Sequence, residues 1–201
     1  EALAPNTGIE AVYAVHNWEG WDLVNQLGLE GQIIDNKSLS QLTESKSPNQ
    51  AVALLSFPEE EALSKDITGP LIYLDRLQDP GNMGTILRIA DWYGMKHILC
   101  SPESVDTYNQ KVIQSSMGAV LRVCTHRMTD QDLIDFAANT ERSLYAAVLN
   151  GESIRERKAA ENVILMMGNE SQGLSPALIN AAHSTITIPG GGAAESLNVG
   201  V

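Results

Sequence analysis

Val163-Ile164-Leu165-Met166-Met167-Gly168-Asn169-Glu170-Ser171-Gln172-Gly173-Leu174-Ser175 is the stretch on which the reading of this chain turns. Five consecutive apolar residues read as a strand buried on both faces. They open directly into a glycine-bearing turn that carries fixed polar groups. The same design recurs at Thr185-Ile186-Thr187-Ile188, which opens into Pro189-Gly190-Gly191-Gly192 and then Glu195-Ser196-Leu197-Asn198. Upstream, a strand from Leu71 runs through Asp79-Pro80-Gly81-Asn82-Met83-Gly84 into a helix bearing Arg88. Such loops let main-chain N–H and C=O groups approach a ligand closely.

Strands and helices alternate outward from these segments. Apolar periodicity predicts strands at 71–74, 97–100, 120–124, 145–148, 163–167 and 186–188. Helices are expected over 83–93, with Ile86, Leu87 and Ala90 on one face, and near 109–116. Gly94 stops the first of these. Thr129 with Asp132 reads as a capping box for a helix through Leu133, Ile134 and Phe136. Ser175-Pro176 opens another, with proline at its first position. This order implies an α/β fold whose mostly parallel sheet is covered on both faces. Ligands then bind beyond the carboxyl ends of the strands.

The chain divides near residue 65. Residues 1–65 read as a small α/β domain, with strands at 9–15, 32–35 and 51–55, a short helix over 21–27 and another through Leu39 and Leu42. Ser47-Pro48-Asn49 marks a turn. Pro58-Glu59-Glu60-Glu61 and Gly69-Pro70 bracket a linker, and the acidic run reads as solvated surface. Residues 66–201 form the second domain.

Composition bounds the function. No apolar stretch approaches the ~20 residues that span a membrane, and no secretory signal is visible. Cys100 and Cys124 form no disulfide framework and read as buried thiols, which suits a reducing cytoplasm. The chain starts at Glu1 rather than Met, so a preceding piece is expected. Net charge is −12, which opposes binding to phosphate. The charge is uneven: residues 1–65 hold three basic and ten acidic side chains, and residues 66–201 hold ten and fifteen. Neither a dinucleotide-binding G-x-G-x-x-G nor a phosphate-loop G-x-x-x-x-G-K-[ST] occurs, so a different nucleotide-binding α/β protein ranks last. No metal-ligand cluster is visible, and His16, His97, His126 and His183 are scattered.

The three segments resemble the three motifs of the SpoU/TrmH family of RNA ribose methyltransferases, in the SPOUT superfamily. Asn82, Gly84 and Arg88 match N-x-G-x-x-x-R. Gly168, Asn169, Glu170, Gly173, Leu174 and Ser175 match G-N-E-x-x-G-L-S. Ile188, Pro189, Gly192, Glu195, Ser196, Leu197, Asn198 and Val199 match the third. The resemblance covers roughly residues 68–201. It implies a deep trefoil knot near the C-terminus, a rare topology, and a homodimer with its site near the interface. It also implies transfer of a methyl group from S-adenosylmethionine to a ribose 2′-hydroxyl of ribosomal or transfer RNA. Residues 1–60 resemble a shortened form of the small domain that grips RNA in the family.

The resemblance assigns roles residue by residue. Gly168, Asn169, Ile188, Pro189 and Leu197 match the family's cofactor contacts, and Ser116-Met117-Gly118-Ala119 resembles a further element of that pocket. Arg88 matches the catalytic arginine, as base or as orienting and charge-stabilising group. Asn82 is expected to fix the loop and Arg88. Glu170 is expected to hold the second loop or Arg88. Ser196 and Asn198 would orient the target ribose or phosphate, with helix capping the plainer alternative for both. Arg155, Arg157 and Lys158 read as an exposed loop, with RNA backbone contact second. Gly200 stands where the family usually has serine, and the apolar helix that usually follows is absent, so a continuation past Val201 is expected. The Gly190–Gly192 run suggests a loop that is mobile without cofactor. The competing reading is an RNA-binding SPOUT protein that does not catalyse.

Overall fold

The computed structural model describes residues 8–43, 49–57, 62–156, 161–192 and 196–200. The chain divides into two compact units, Glu1–Glu61 and Ala62–Val201. Expectations placed on Ser47, Pro48, residues 58–61, Arg157, Lys158 and Glu195 fall outside the described residues.

The first unit is a three-stranded mixed sheet with two short helices. Strand β1 (Ile9–Ala14) lies between β2 (Glu30–Ile33), parallel to it, and β3 (Ala51–Leu55), antiparallel. Helix α1 (Trp21–Gln26) connects β1 to β2, and α2 (Asn36–Gln41) follows with Asp35 as its cap. Val12, Ala14, Val24 and Leu39 form the core. Trp18 and Trp21 meet edge to face at 5.7 Å, a favoured aromatic geometry. Strand β2 starts two residues earlier than the apolar run suggests, because all its residues are exposed and carry no burial signal.

The second unit is a six-stranded, wholly parallel sheet. Its strands are β4 (Leu71–Leu74), β5 (His97–Cys100), β6 (Cys124–Arg127), β7 (Ser143–Ser153), β8 (Val163–Met167) and β9 (Ser184–Thr187). Their spatial order is β6-β5-β4-β8-β7-β9. The central strand β4 sorts its side chains by parity. Leu74, with Ile72, packs toward α3 (Pro80–Trp92) and α4 (Gln110–Ser116). Leu71 and Tyr73 pack toward α5 (Asp130–Asn139) and α6 (Pro176–Ala181). Both faces are therefore covered, as parallel strands require. The sheet is the one the alternation of strands and helices predicts.

Caps behave as the sequence indicates. Thr129 and Asp132 form the capping box of α5, and Ser175 caps α6 with Pro176 behind it. Asp79 caps α3, accepting from the Asn82 N–H at 2.8 Å, so that helix starts three residues before the expected Met83. Gly84 lets α3 meet α4. A Cβ there would lie 1.9 Å from Ser115 Oγ and 2.7 Å from Ser116 N.

Three expectations need correction. Residues 120–124 are not a strand: Ala119–Leu121 form a 3₁₀ turn, and β6 starts at Cys124. Met117 and Gly118 are both left-handed, with φ of 52° and 83°, and they turn the chain before any strand can extend. Strand β7 is far longer than 145–148, and its second half is polar, which hides it from apolar periodicity. Cys100 is buried as expected, but Cys124, at the start of an edge strand, is exposed.

Strand β7 meets β9 in two stretches. Ile186 pairs with both Ala147 and Glu152, and the register shifts between them. A Cβ on Gly151 would lie 2.7 Å from Ile186 N and C, so only glycine permits this close approach.

Candidate active site

Strands β4 and β8 are neighbours, and their carboxyl ends release the first two motif loops side by side. The third leaves β9. Asn82, in the first turn of α3, joins all three. Its Nδ2 donates to Glu170 Oε1 at 2.8 Å, and its Oδ1 accepts from Asn198 Nδ2 at 2.9 Å. Asn198 Oδ1 in turn accepts the Gly200 N–H at 2.8 Å. Asn198 thus closes a local turn two residues on, and no helix follows it among the described residues. Val199 packs against the α3 side of the core, which holds this end of the chain in place.

The second loop is tight. Asn169 and Gly173 exchange main-chain hydrogen bonds at 3.2 and 2.9 Å, and Asn169 Oδ1 accepts from the N–H groups of Ser171 and Gln172. This folding brings the loop back onto Gly168. A Cβ there would lie 2.2 Å from both Gly173 C and Leu174 N, so the loop's own backbone demands glycine at this position.

A second junction was not anticipated. Asp75, 1% exposed, follows β4 directly. Its carboxylate takes a two-pronged pair from Arg76 Nε and Nη2 at 2.9 Å each and the Ser175 N–H at 2.8 Å. Arg76 also donates from Nη1 to Gln172 Oε1 and from Nη2 to Gly173 O, and its carbonyl accepts Asn169 Nδ2 at 2.8 Å. One cation thus clamps the second loop to the first. Arg76 has φ 53°, a left-handed conformation costly for a residue with a Cβ. The only sequence signal for this clamp is an acid–base pair placed directly after a buried strand.

Behind the clamp, Ser175 Oγ donates to Asp130 Oδ2 at 2.6 Å and Tyr73 Oη donates to Asp130 Oδ1 at 3.2 Å. Burial, and then the Asp130 carboxylate, push the Tyr73 phenol well above its ordinary range. Tyr73 is therefore a fixed donor at neutral pH and not a proton acceptor.

The remaining predicted residues lie around this core. Arg88 is exposed on α3 and has no hydrogen bond or ion pair among the described residues. The expectation that Asn82 or Glu170 would hold Arg88 is corrected: they hold each other. Arg88 sits one turn beyond Thr85, whose Cγ2 would lie 3.0 Å from a Cβ on Gly200. Ile188, Leu197 and Met117 are 48, 57 and 71% exposed, unlike the buried apolar residues of the core. Pro189 follows Ile188 on the third loop, and Gly190, Gly191 and Gly192 have open space at every Cβ position. Ser196 is exposed. Arg155 lies in a 3₁₀ turn, Ile154–Glu156.

Elsewhere, His97 and His126 are brought together, Nδ1 to Nε2 at 3.0 Å, although they are far apart in the sequence. A hollow of about 350 Å³ lies at the opposite, amino-end rim, lined by Ile134, Arg142, Leu144 and His183 among others. There the buried Arg142 guanidinium donates to the carbonyls of Ile67 and Gly69 beside the carboxyl end of α5, whose dipole offsets its charge. That hollow shares no residue with the motif loops.

Residues 69–201 match the family model described as the SpoU rRNA Methylase family. The chain is 29% identical over 177 residues to the 23S rRNA (guanosine(2553)-2′-O)-methyltransferase RlmP of Bacillus subtilis, covering 88% of this chain and 70% of that protein. It is 29% identical over 164 residues to the 23S rRNA (uridine(2479)-2′-O)-methyltransferase of Streptomyces viridochromogenes, covering 76% of this chain and 56% of that one. An AdoMet-bound rRNA methyltransferase from Sinorhizobium meliloti superposes with a TM-score of 0.81 at 28% identity, over 96% of this chain and 76% of that one. The parallel sheet, the three loops converging on Asn82 and the match to two thirds of the chain agree, and the chain belongs to the SpoU rRNA methylase family.

Proposed function

We propose that this chain transfers a methyl group from S-adenosylmethionine to a ribose 2′-hydroxyl of RNA, with ribosomal RNA as the substrate class. The observation that carries the reading is the Asn82 junction, which draws three sequence-distant loops onto one rim of the sheet beside the helix of Arg88. The relatives named above act on 23S rRNA at ribose 2′-oxygens, and the Sinorhizobium structure has AdoMet bound.

The residues present suit such a donor. Exposed apolar side chains at Met117, Ile188 and Leu197 offer walls for an adenosine. Gly190–Gly192 leave the main chain open on the same loop as Ile188 and Pro189, while Gly168 and Asn169 set the neighbouring loop. When bound, the donor supplies an electrophilic methyl on a sulfonium whose thioether leaves readily. The protein's work is then positioning. A guanidinium keeps its charge and offers donors only, so Arg88 serves to orient the ribose or its phosphate and to stabilise charge on the attacking oxygen, while the proton given up by the 2′-hydroxyl passes to solvent. Asn82, Glu170 and Asn198 fix the loops around it, and Ser196 stands exposed beside Leu197 as a ribose or phosphate contact.

The same reading takes the protein as a cytoplasmic homodimer whose small N-terminal unit grips RNA, with the chain threaded where β9 passes β7. The net charge of −12 places the burden of RNA contact on local cations and not on the overall field. Among the described residues no helix is long and apolar enough to cross a membrane. The test is transfer of tritiated methyl from S-adenosylmethionine to ribosomal RNA, with nuclease digestion to identify a 2′-O-methylated nucleotide, and sedimentation for the oligomer. Donor binding without transfer to any RNA would replace catalysis by RNA binding alone.

A further inference from the structure

The carboxyl end of α3 carries two conspicuous aromatic side chains. Trp92 is 85% exposed and Tyr93 is 76% exposed. A surface tryptophan on a helix leaves a large apolar area in water. Trp92 lies four residues after Arg88, so the two side chains are neighbours on one face of the helix. Gly94, at φ 73°, ends the helix and turns the chain to Lys96, which is also exposed. From the other side comes Arg122, whose Nε and Nη2 donate to Asp91 Oδ2 at 3.0 and 2.8 Å. Arg122, and more weakly Lys96, hold the Asp91 carboxyl below its usual range.

This corner is therefore cationic within an acidic chain: Arg122 and Lys96 act on one carboxylate, Asp91, and Arg88 stands one turn before it on the helix. It is also continuous with the methyl-donor side. Arg122 Nη1 would lie 3.5 Å from a Cβ on Gly118, which adjoins the exposed Met117. We propose that this face, Trp92 and Tyr93 framed by Arg88, Lys96 and Arg122, is a stacking platform for unpaired bases of the substrate RNA next to the ribose that Arg88 serves. The proposal rests on the methyl-transfer reading and names where the RNA lies.

The chemistry favours RNA over a second copy of the chain. Interface cores between proteins also take tryptophan, tyrosine and arginine but are depleted in lysine; the exposed Lys96 beside the rings, and cations interleaved with them, suit the phosphates and base faces of a single strand. Duplex RNA presents no free base faces, so the platform takes loops or splayed nucleotides. Stacking is tolerant of base identity, and this surface fixes position more than sequence.

The test uses the full chain with Trp92→Ala, Tyr93→Ala and the conservative Trp92→Phe. Each changes an exposed side chain, so folding is retained, and melting checks it. In the methylation assay, Trp92→Ala is expected to raise the RNA KM about five- to hundredfold. The kcat stays within twofold, calorimetric affinity for S-adenosylmethionine is unchanged, and Trp92→Phe recovers most of the loss. Fluorescence anisotropy with a labelled single-stranded oligoribonucleotide, without donor, should show the same order, and a duplex of that sequence should bind equally to all variants. An unchanged RNA KM and oligonucleotide affinity in Trp92→Ala overturn the proposal. So does a change in sedimentation alone, which would give this face to a second copy. If the wild type methylates no RNA, the methyl-transfer reading fails, and the anisotropy measurement still decides the platform.

Discussion

Asn82 and Glu170, 88 positions apart in the chain, share a hydrogen bond of 2.8 Å that fastens the start of one helix to the loop after a neighbouring strand. Because Asn198 completes the arrangement from a third loop, removing the Asn82 amide releases two loops at once. Asn82→Ala is expected to lower methyl transfer about a hundredfold. It should cost only about 1 kcal/mol in stability, since the bonds are partly solvated. In a double-mutant cycle, Asn82→Ala and Asn198→Ala should be non-additive, and additive losses in kcat/KM would separate the two residues.

Arg76 offers a test in which stability and activity diverge. Its φ of 53° costs about 1–2 kcal/mol, which Arg76→Gly relieves while cutting the bonds to Asp75, Gln172 and Gly173. We expect a melting temperature within a few degrees of wild type and a kcat lowered about tenfold. Arg76→Lys, which keeps the charge but loses the fork, should fall between them. Activity that simply tracks melting temperature would reduce Arg76 to a stabilising residue.

Gly168 admits no side chain. In Gly168→Ala the new methyl would lie 2.2 Å from the Gly173 and Leu174 backbone, which is not free to rotate away. The loop must open, at a cost of about 1–3 kcal/mol, and calorimetric binding of S-adenosylmethionine should be lost even where the protein stays folded. Retained affinity would place the donor away from this loop.

Alkali should destabilise the large unit from its core. Burial pushes the Cys100 thiol up, and Tyr73 in the adjacent strand is raised by burial and then by Asp130. Both groups hold their protons in the folded state at pH values where the unfolded chain releases them. Between the unfolded and folded values the native state binds more protons, so stability falls as pH rises. Melting temperature is expected to be flat near neutrality and to drop above the ordinary thiol range. Thiol reagents should modify the exposed Cys124 rapidly and Cys100 only on unfolding.

Much of this architecture is legible in the sequence where a single local signal decides. Strands β4, β5 and β8 have the bounds that their unbroken apolar runs indicate, and the Thr129 and Ser175 caps announce their helices. The second half of β7 is not legible, because Asn150-Gly151-Glu152-Ser153 owes its extended form to pairing with β9 and not to apolar content. The region 117–121 looks like the approach to a strand, and only the paired left-handed residues Met117 and Gly118 reveal the turn. At the site, the motif residues Asn82, Glu170 and Asn198 are nameable in advance, but their mutual bonding is not. Arg76 shows in the sequence only as an acid–base pair with Asp75: its other partners lie 25 to 97 residues away, and its backbone angle is one that no propensity favours.

The two-part pairing of β7 with β9 sets an order of events during synthesis. Residues 143–153 leave the ribosome first, and their second stretch waits for residues 186–187 to emerge and close against Gly151. Asn198, the last contributor to the Asn82 junction, emerges later still. On a nascent chain the junction of the three loops therefore closes only after the sheet's final strand is in reach.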